Sequence, residues 1–513
     1  MIHRPLVVLS LAGIAGTAIG LNREVPVAPL AFLIATSAIF TTIAGWVTHE
    51  KKGSHALNVA ALIAASVAMA GIAAIHANTR PDAVCDISTS LPAGPVEITG
   101  MIIDDPVVTR EFKWGEQWSF RARITNSSSS ACAPLEISMY QAAHREPPAY
   151  GDTWSFGGDL RRHVYQRRDG HQHTNTVVNA MGSTSQRIAR GGGTPVLRAV
   201  YGGRRMASDL LCHDIQDRPE ARRIINSLLL GYRRQMDPAM YKAFAATGTV
   251  HIFAISGSHV VVLAGIVIVG LMAMGIQRPS WFFFLAPILI GFTAATGMQP
   301  SAVRACIMAL IFWGAVRLNR TGDIFCALAL SAMAILAWDP ANLKDLGFIL
   351  SFVAVFGLAI LYPPLAARWA PRAEGDHFEL PKPAPWHRHW RDEIMKLLAS
   401  STAAWFVSTP LTAYYFNMFS LVALIGNMVV IPLAFLIMVA GSLSLLVGMV
   451  WLWPAAILNH ANALLAELMA DSMRVLATLP GGHWEVDSPA PLILVMYYVL
   501  LAWSARKLAV KTS

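Results

Sequence analysis

Apolar runs, each close to the length of a membrane-crossing helix, recur along most of the chain. A transmembrane helix needs about 20 mostly apolar residues. About eleven or twelve segments reach or approach that length. They are residues 5–20, 27–47, 56–75, 251–274, 281–296, 301–318, 324–338, 346–365, 397–416, 420–440, 444–459 and 492–505. The pattern therefore predicts a polytopic α-helical membrane protein.

A different pattern interrupts these runs between about residues 78 and 223. Apolar and polar residues alternate in stretches that begin at Pro95, Trp118 and Pro134, and turn-forming residues separate them. Alternation with a period of two is typical of strands with one buried face. We therefore predict three parts: N-terminal helices (1–77), an inserted extracytoplasmic β-rich domain with an arginine-rich segment (78–223), and a polytopic helical domain (224–513).

Composition supports a membrane protein. The 513 residues are 55% hydrophobic and 14% charged, whereas an ordinary soluble domain has about 25% charged residues. The basic head before the first apolar run is typical of a signal peptide, but no small-residue cleavage site follows, so we expect an uncleaved helix. Basic loops favour a cytoplasmic N-terminus, an exported segment from residue 78 to about 242, and a cytoplasmic C-terminus. The least determined part is 440–482, which is amphipathic and either lies on the surface or lines the interior.

The segment from residue 161 to residue 205 is strongly basic. Its only acid is Asp169, it has no lysine, and its arginines are Arg161, Arg162, Arg167, Arg168, Arg187, Arg190, Arg198, Arg204 and Arg205. Guanidinium groups pair with phosphates and stack on bases, so the segment suits a polyanionic backbone. A solvated, partly disordered loop and arginines near anionic lipid are the alternatives. The formal charge of +9 fits each of them.

Five cysteines fall into two groups. Cys85, Cys132 and Cys212 lie in the segment expected to be exported, where oxidation is permitted. Cys85 and Cys132 bracket the first predicted strands and are a candidate disulfide. Cys306 and Cys326 fall within predicted membrane helices, where we expect them to be small packing residues.

Three polar motifs interrupt the apolar runs, at residues 249–265, 296–305 and 345–357. Together they resemble the ComEC-type competence family, whose members carry single-stranded DNA across the cytoplasmic membrane during natural transformation. The segment 150–160 also resembles the Gly-Asp signature of the OB-like domain in that family. The resemblance implies single-stranded DNA and the lipid bilayer as partners. It also implies a separate DNA receptor and a cytoplasmic ATP-driven motor.

Ionisable and polar residues inside membrane helices are costly, so they are candidates for a DNA path. The candidates are His251, Ser256, Gly257, His259, Arg304, Asp345 and Asn427. The eight-residue spacing of His251 and His259 predicts one helical face. In the DNA path Arg304 would contact phosphate; the alternative is an arginine that is snorkelling or ion-paired near the membrane interface. The alternative role of Asp345 is a helix N-cap, and that of Asn427 is a hydrogen-bonded contact between helices.

The β domain supplies candidates for binding DNA before transport. These are the aromatic residues Trp118, Phe120, Tyr150 and Trp154, with Arg161, Arg162, Arg167, Arg168, Arg187, Arg190, Arg204 and Arg205. Stacking of bases on aromatic rings and pairing of arginine with phosphate are the usual means of holding single strands.

The sequence predicts no catalysis, metal or cofactor. It has no phosphate-binding loop for ATP hydrolysis and no His-x-His-x-Asp-His element, so the resemblance is to a short form that lacks a metallo-β-lactamase-like domain and needs a separate nuclease. Two alternatives remain. A small-solute transporter would have similar broken helices and buried polar groups, and an intramembrane serine hydrolase would use Ser256 or Ser258.

Overall fold

The computed structural model describes residues 12–15, 17, 94–112, 115–125, 135–142, 146–166, 172–253, 257–297, 300–318, 324–370 and 386–510. This part of the chain is a β-rich domain followed by a mostly helical region. The predicted runs at 27–47 and 56–75 lie outside the described residues, and so do Cys85 and Cys132.

Five strands of the β-rich domain close into a ring. The seven strands are β1 (Gly94–Ile102), β2 (Val107–Phe112), β3 (Gly115–Ile124), β4 (Leu135–Ala142), β5 (Thr153–Gln166), β6 (Gln172–Met181) and β7 (Gln186–Ala189). The ring runs β1-β3-β4-β6-β5 and back to β1, with β2 paired to β3 and β7 paired to β5. The β4–β6 pair is parallel, and the other pairs are antiparallel.

The alternation predicted from the sequence builds the interior of this barrel. Ile98, Phe120, Ile137, Phe156 and Val178, one from each strand of the ring, form its buried core. Side chains at every second position point inward, so one apolar face per strand fills the interior. A closed five-stranded barrel with one parallel pair is consistent with the OB-like domain that the sequence predicts.

Twelve α-helices follow within the described residues. They are α1 (Pro195–Leu211), α2 (Pro219–Leu230), α3 (Pro238–Ala246), α4 (Gly257–Ala273), α5 (Trp281–Ala295), α6 (Pro300–Arg317), α7 (Ile324–Trp338), α8 (Leu346–Trp369), α9 (Trp386–Phe416), α10 (Val422–Gly448), α11 (Leu452–Ala477) and α12 (Pro491–Val510). Short 3₁₀ turns cover Arg233–Gln235, Val250–Phe253, Arg278–Ser280 and Pro340–Lys344. A small hairpin pairs β8 (Met418–Ser420) with β9 (His483–Glu485).

Several helices have the composition of membrane spans. Among the described residues, Arg278–Ala295, Leu346–Trp369 and Val422–Gly448 are long and apolar enough to cross a bilayer. Shorter apolar helices cover Gly257–Ala273, Ile324–Trp338 and Pro491–Ala505. Most predicted runs from 251 to 505 coincide with one helix each.

One expectation from the sequence was wrong, and one alternative that the sequence left open is excluded. The run 444–459 is not one helix, because α10 ends at Gly448 and α11 begins at Leu452. Hydropathy alone did not show this break, since the residues around it are themselves apolar. The stretch 172–205 is not a disordered loop, because it forms β6, β7 and most of α1. An amphipathic helix begins at Pro195, a residue favoured at the first position of helices.

Close contact between α8 and α9 depends on Gly357, the last residue of the third polar motif. A Cβ atom at this position would lie 2.3 Å and 2.6 Å from the two γ-methyl carbons of Val407, which is buried. Such distances are far below van der Waals contact, so a side chain at 357 would push the helices apart. The glycine is therefore a packing residue.

Gly357→Ala should lower the thermal stability of the detergent-solubilised protein, because overpacking a core costs about 1–3 kcal/mol. Val407→Ala in the same chain should restore much of the loss by making room. Gly265→Ala is the matched control, since a Cβ there meets no atom of the described residues within 4 Å. An unfolding temperature for Gly357→Ala equal to that of Gly265→Ala would contradict this account of the helix contact.

Candidate functional site

The second and third polar motifs meet at a buried arginine. Arg304 lies one turn inside α6 and is 3% exposed. Its Nη1 atom is 3.7 Å from Oδ2 of Asp345, the residue that precedes α8. Asp345 also caps that helix, because its Oδ2 accepts a hydrogen bond of 2.8 Å from the backbone N–H of Phe348. The ion pair and the N-cap that the sequence left as alternatives are both present.

The guanidinium of Arg304 keeps unused hydrogen-bonding capacity. Its Nε and Nη1 atoms are buried and make no hydrogen bond to the described residues. Asp345 compensates only part of the charge, since its side chain is 42% exposed and already binds the helix end. A buried cationic group with donors to spare is costly unless a further acceptor is supplied. The arrangement therefore suits a transient anionic partner.

The first polar motif packs against the beginning of α10. The hydroxyl groups of Thr247 and Thr249 lie 2.8 Å apart and are buried. A Cβ at Gly426 would lie 3.0 Å from the γ-methyl of Thr249, so the turn and α10 touch closely. Ser420 donates a hydrogen bond of 3.1 Å to the Ala246 carbonyl and ties the β8 strand to the same turn.

The two histidines of this motif do not share one helical face. His251 belongs to the 3₁₀ turn Val250–Phe253 and is exposed, with Nδ1 3.2 Å from the Gly248 carbonyl oxygen. His259 lies in α4 and is 4% exposed. The prediction of a common helical face was wrong, because His251 lies in a 3₁₀ turn and His259 lies in the helix α4. Ser256 lies outside the described residues.

His259, Arg304 and Asn427 occupy three neighbouring helices. Asn427 lies on α10, is 7% exposed, and its Oδ1 accepts no hydrogen bond from the described residues. Helix α4, which carries His259, packs against both α6 and α10. The three polar side chains are therefore buried in one sub-bundle of apolar helices. Arg304 and Asn427 each have a polar atom whose hydrogen-bonding capacity the described residues do not use.

In the barrel, the aromatic residues predicted to stack on bases are mostly interior. Phe120 is fully buried, Trp154 is 5% exposed and Tyr150 is 8% exposed. Trp118 packs against the same core from its edge. Phe120 and Trp154 sit on inward-facing strand positions of the barrel. Tyr150 lies in the turn before β5, where its ring centre is 5.1 Å from that of Tyr201 on α1 and its hydroxyl accepts a bond from the backbone N–H of Thr194. The structure corrects the stacking role assigned to Phe120, Tyr150 and Trp154, because the three side chains are buried inside the protein.

A buried carboxylate joins the barrel to the helical region. Asp105, in the turn after β1, has a side chain that is 1% exposed. It lies 3.4 Å from Arg204 Nη1 and 3.2 Å from Arg205 Nε, and it accepts a bond of 2.7 Å from the Tyr232 hydroxyl. Burial and the charge of Asp105 raise the pKa of Tyr232, so the phenol stays protonated and donates. We call Asp105, Arg204, Arg205 and Tyr232 the junction cluster.

Arg204 is a structural residue rather than an open DNA contact. Its Nε and Nη2 donate bonds of 3.0 and 2.6 Å to the Leu230 carbonyl at the end of α2, and its guanidinium lies 3.9 Å from the centre of the Tyr232 ring. Arg205 also donates to the Pro148 carbonyl at 3.1 Å. Their assignment as DNA-binding residues is corrected, because these donors are used inside the protein.

Other arginines of the basic segment also have partners. Arg187 and Arg190 both pair with Glu146, and Arg187 lies 3.5 Å from Asp152. Arg198 donates to the carbonyls of Gly191 and Gly192. Arg161 is exposed beside Asp159 at 3.2 Å. Arg167 and Arg168, and the side chain of Arg162, lie outside the described residues.

Sequence reasoning missed the acids that bind arginines of the barrel and of the adjoining helices. Asp104, next to Asp105, accepts bonds from the Arg121 backbone N–H and Nε at 2.7 and 3.1 Å and lies 3.5 Å from Arg234. The signal was the Asp-Asp-Pro turn at 104–106, which the sequence reading used only as a strand boundary. Among the described cysteines, Cys212 and Cys306 are free thiols.

Comparison with known proteins covers the helical region. The family model described as Competence protein matches residues 228–511, more than half of the chain. ComE operon protein 3 of Bacillus subtilis (strain 168) is 25% identical over 293 residues, which are 55% of this chain and 34% of that protein. Uncharacterized protein YcaI of Escherichia coli (strain K12) is 30% identical over 300 residues, 55% of this chain and 37% of that protein. The match thus spans about a third of each relative's length. No solved structure matches this chain.

Proposed function

Because the chain belongs to the Competence protein family, we propose that it carries single-stranded DNA across the cytoplasmic membrane during DNA uptake. The family supports a role in competence. The observation that best supports transport of DNA in particular is the buried Arg304, whose Nε and Nη1 atoms have no hydrogen-bond acceptor among the described residues. A polyanion passing through the bundle would supply phosphate oxygens as acceptors.

The proposed architecture is a multi-pass bundle with the barrel outside the cell membrane and the C-terminus in the cytoplasm. The three long apolar helices support the membrane bundle, and the distribution of basic loops favours this orientation. The barrel would receive the strand, and the sub-bundle of α4, α6 and α10 would conduct it inward. The junction cluster holds the barrel on the helical region, so the handover would occur over a short and fixed distance. A polymer benefits from such an external domain, whereas a small solute does not.

The proposed transport also requires three separate partner proteins. A separate receptor would present the DNA, a separate nuclease would remove the second strand, and a cytoplasmic ATP-driven motor would pull the first. In this proposal the chain transports DNA and catalyses no reaction itself. Buried polar groups on broken or neighbouring helices serve as contact points for the moving substrate, as in transporters.

Deletion of the gene in its own host should reduce the DNase-protected, labelled DNA inside the cells to background, while DNA bound at the cell surface stays near normal. Surface binding belongs to the receptor, so the two pools separate transport from capture. Expression of the chain from a second site should restore the internal pool. An unchanged internal pool in the deletion strain, in cells shown to be competent, would refute the proposal.

A further inference from the structure

A basic cavity lies between the barrel and the first two helices, away from Arg304. Its volume is about 160 Å³, and its walls come from the β2–β3 hairpin, α1 and α2. The side chains that set its chemistry are Thr109, Arg110, Glu116, Ser208, Arg222 and Arg223. It is smaller than the roughly 300–1,000 Å³ pockets that enclose a drug-sized ligand, so it fits a single anionic group.

The three arginines of this cavity differ from their neighbours in the junction cluster. Within the described part of the chain, none of Arg110, Arg222 and Arg223 lies in an ion pair, whereas Arg204 and Arg205 both pair with Asp105. The Nε atom of Arg222 is buried and has no hydrogen-bond acceptor among the described residues, although its side chain also lies beside the Cys212 thiol. Glu116 is the single carboxylate among the described residues that line the cavity. The cavity therefore has excess positive charge and unused donors.

The end of α2 adds to this charge. Pro219, the first residue of α2, lines the cavity, and the helix N-terminus carries partial positive charge. Glu220, the acid of the first turn, is engaged by Arg474 on α11. Arginines near a helix N-terminus are unfavourable unless an anion lies among them, and phosphate is a common occupant of such positions.

We infer that this cavity binds one backbone phosphate of single-stranded nucleic acid as the strand passes from barrel to bundle. The inference rests on the proposed function. Strand β2 belongs to the connection between β1 and β3, the first two strands of the closed ring in chain order. In OB-type barrels the corresponding loop takes part in oligonucleotide binding. Arg110 on that connection and Arg222 and Arg223 on α2 would contact the same phosphate from two sides.

The test is fluorescence anisotropy of a labelled oligothymidylate with the full-length protein in neutral detergent, across a series of salt concentrations. The double variant Arg222→Gln/Arg223→Gln should bind about tenfold or more weakly, since each hydrogen bond to a charged group contributes substantially. Its plot of log K against log salt should be shallower by about 0.7, because the cavity holds one phosphate and each single-strand phosphate contact contributes about 0.7 to the slope. Arg110→Gln, on a different element, should also weaken binding, with a change in slope no larger than that.

Arg123→Gln is the matched control, because Arg123 is exposed on β3 and outside the cavity lining. Equal weakening by Arg123→Gln and by the cavity variants, or no weakening by any of them, would overturn the site while leaving the proposed function standing. If the wild-type protein binds no oligonucleotide at low salt, both the phosphate site and the proposed function are refuted. Arginine-dependent binding to phosphatidylglycerol vesicles without oligonucleotide binding would identify a lipid headgroup as the occupant and also overturn the inference.

Discussion

Arg304→Ala is expected to lower DNA uptake by about tenfold or more while membrane abundance stays near normal. A hydrogen bond to a charged group contributes about 1.5–3 kcal/mol, and this arginine has donors not used by the described residues. Truncation leaves Asp345 behind, but that carboxylate is 42% exposed and still caps α8. The loss should therefore affect transport more than folding. Internalised labelled DNA and quantitative immunoblotting of membranes measure the two effects side by side.

Three further variants define the role of the charge. Arg304→Lys should keep part of the uptake, because the charge remains while the forked donor geometry is lost. Asp345→Asn should keep the helix cap, since asparagine caps well, and should isolate the contribution of the carboxylate charge. Arg317→Ala is the matched control, being an exposed arginine in the last turn of the same helix.

Collapse of abundance together with uptake in Arg304→Ala would show that the ion pair with Asp345 is structural. In that case the cost would be that of breaking a buried pair, about 3–5 kcal/mol. Normal uptake with normal abundance would remove Arg304 from the candidate path.

Asp105→Ala is expected to cause the largest loss of stability, about 3–5 kcal/mol. The substitution leaves the buried Arg204 without its carboxylate and removes the acceptor of the Tyr232 hydroxyl. Thermal unfolding of the solubilised protein and protease sensitivity of the barrel should both register the change. Asp105→Asn should lose less, because an amide oxygen can still accept the Tyr232 bond.

Asp159→Ala is the matched control for this variant. Asp159 also pairs with an arginine of the basic segment, but both side chains are about half exposed or more. Exposed ion pairs contribute about 0–1 kcal/mol, so this variant should unfold near the wild-type temperature. Equal stability of Asp105→Ala and Asp159→Ala would mean that the junction cluster does not hold the barrel in place.

The sequence was sufficient for elements whose signal is local. Alternation predicted strands β1, β3 and β4 of the barrel, and apolar length predicted helices such as α5 and α7 nearly to the residue. Sequence reasoning failed where an apolar run contains a turn, as at 449–451, because hydropathy does not distinguish an apolar turn from a continuous helix. It also failed for His251 and His259, since their spacing does not show that one lies in a 3₁₀ turn and the other in an α-helix.

Site residues were harder to predict because their partners are distant in sequence. Arg304 and Asp345 were both identified, yet their pairing depends on how α6 meets α8. Arg204 was interpreted as an open DNA contact because nothing near residue 204 shows that Asp105 neutralises it. A charge run in a sequence gives the number of cations, and only the fold determines which of them are already engaged.

The junction cluster also limits how modular the barrel is. A chimera cut at residue 223 would carry Asp105, Arg204 and Arg205 but exchange Tyr232 and the Leu230 carbonyl that Arg204 binds. A cut after Tyr232 would keep every member of the cluster together with the end of α2. Barrels grafted between relatives should therefore be transferred together with α1 and α2. The contacts that join the barrel to the helical region extend to Tyr232, beyond residue 223, where the composition of the sequence changes.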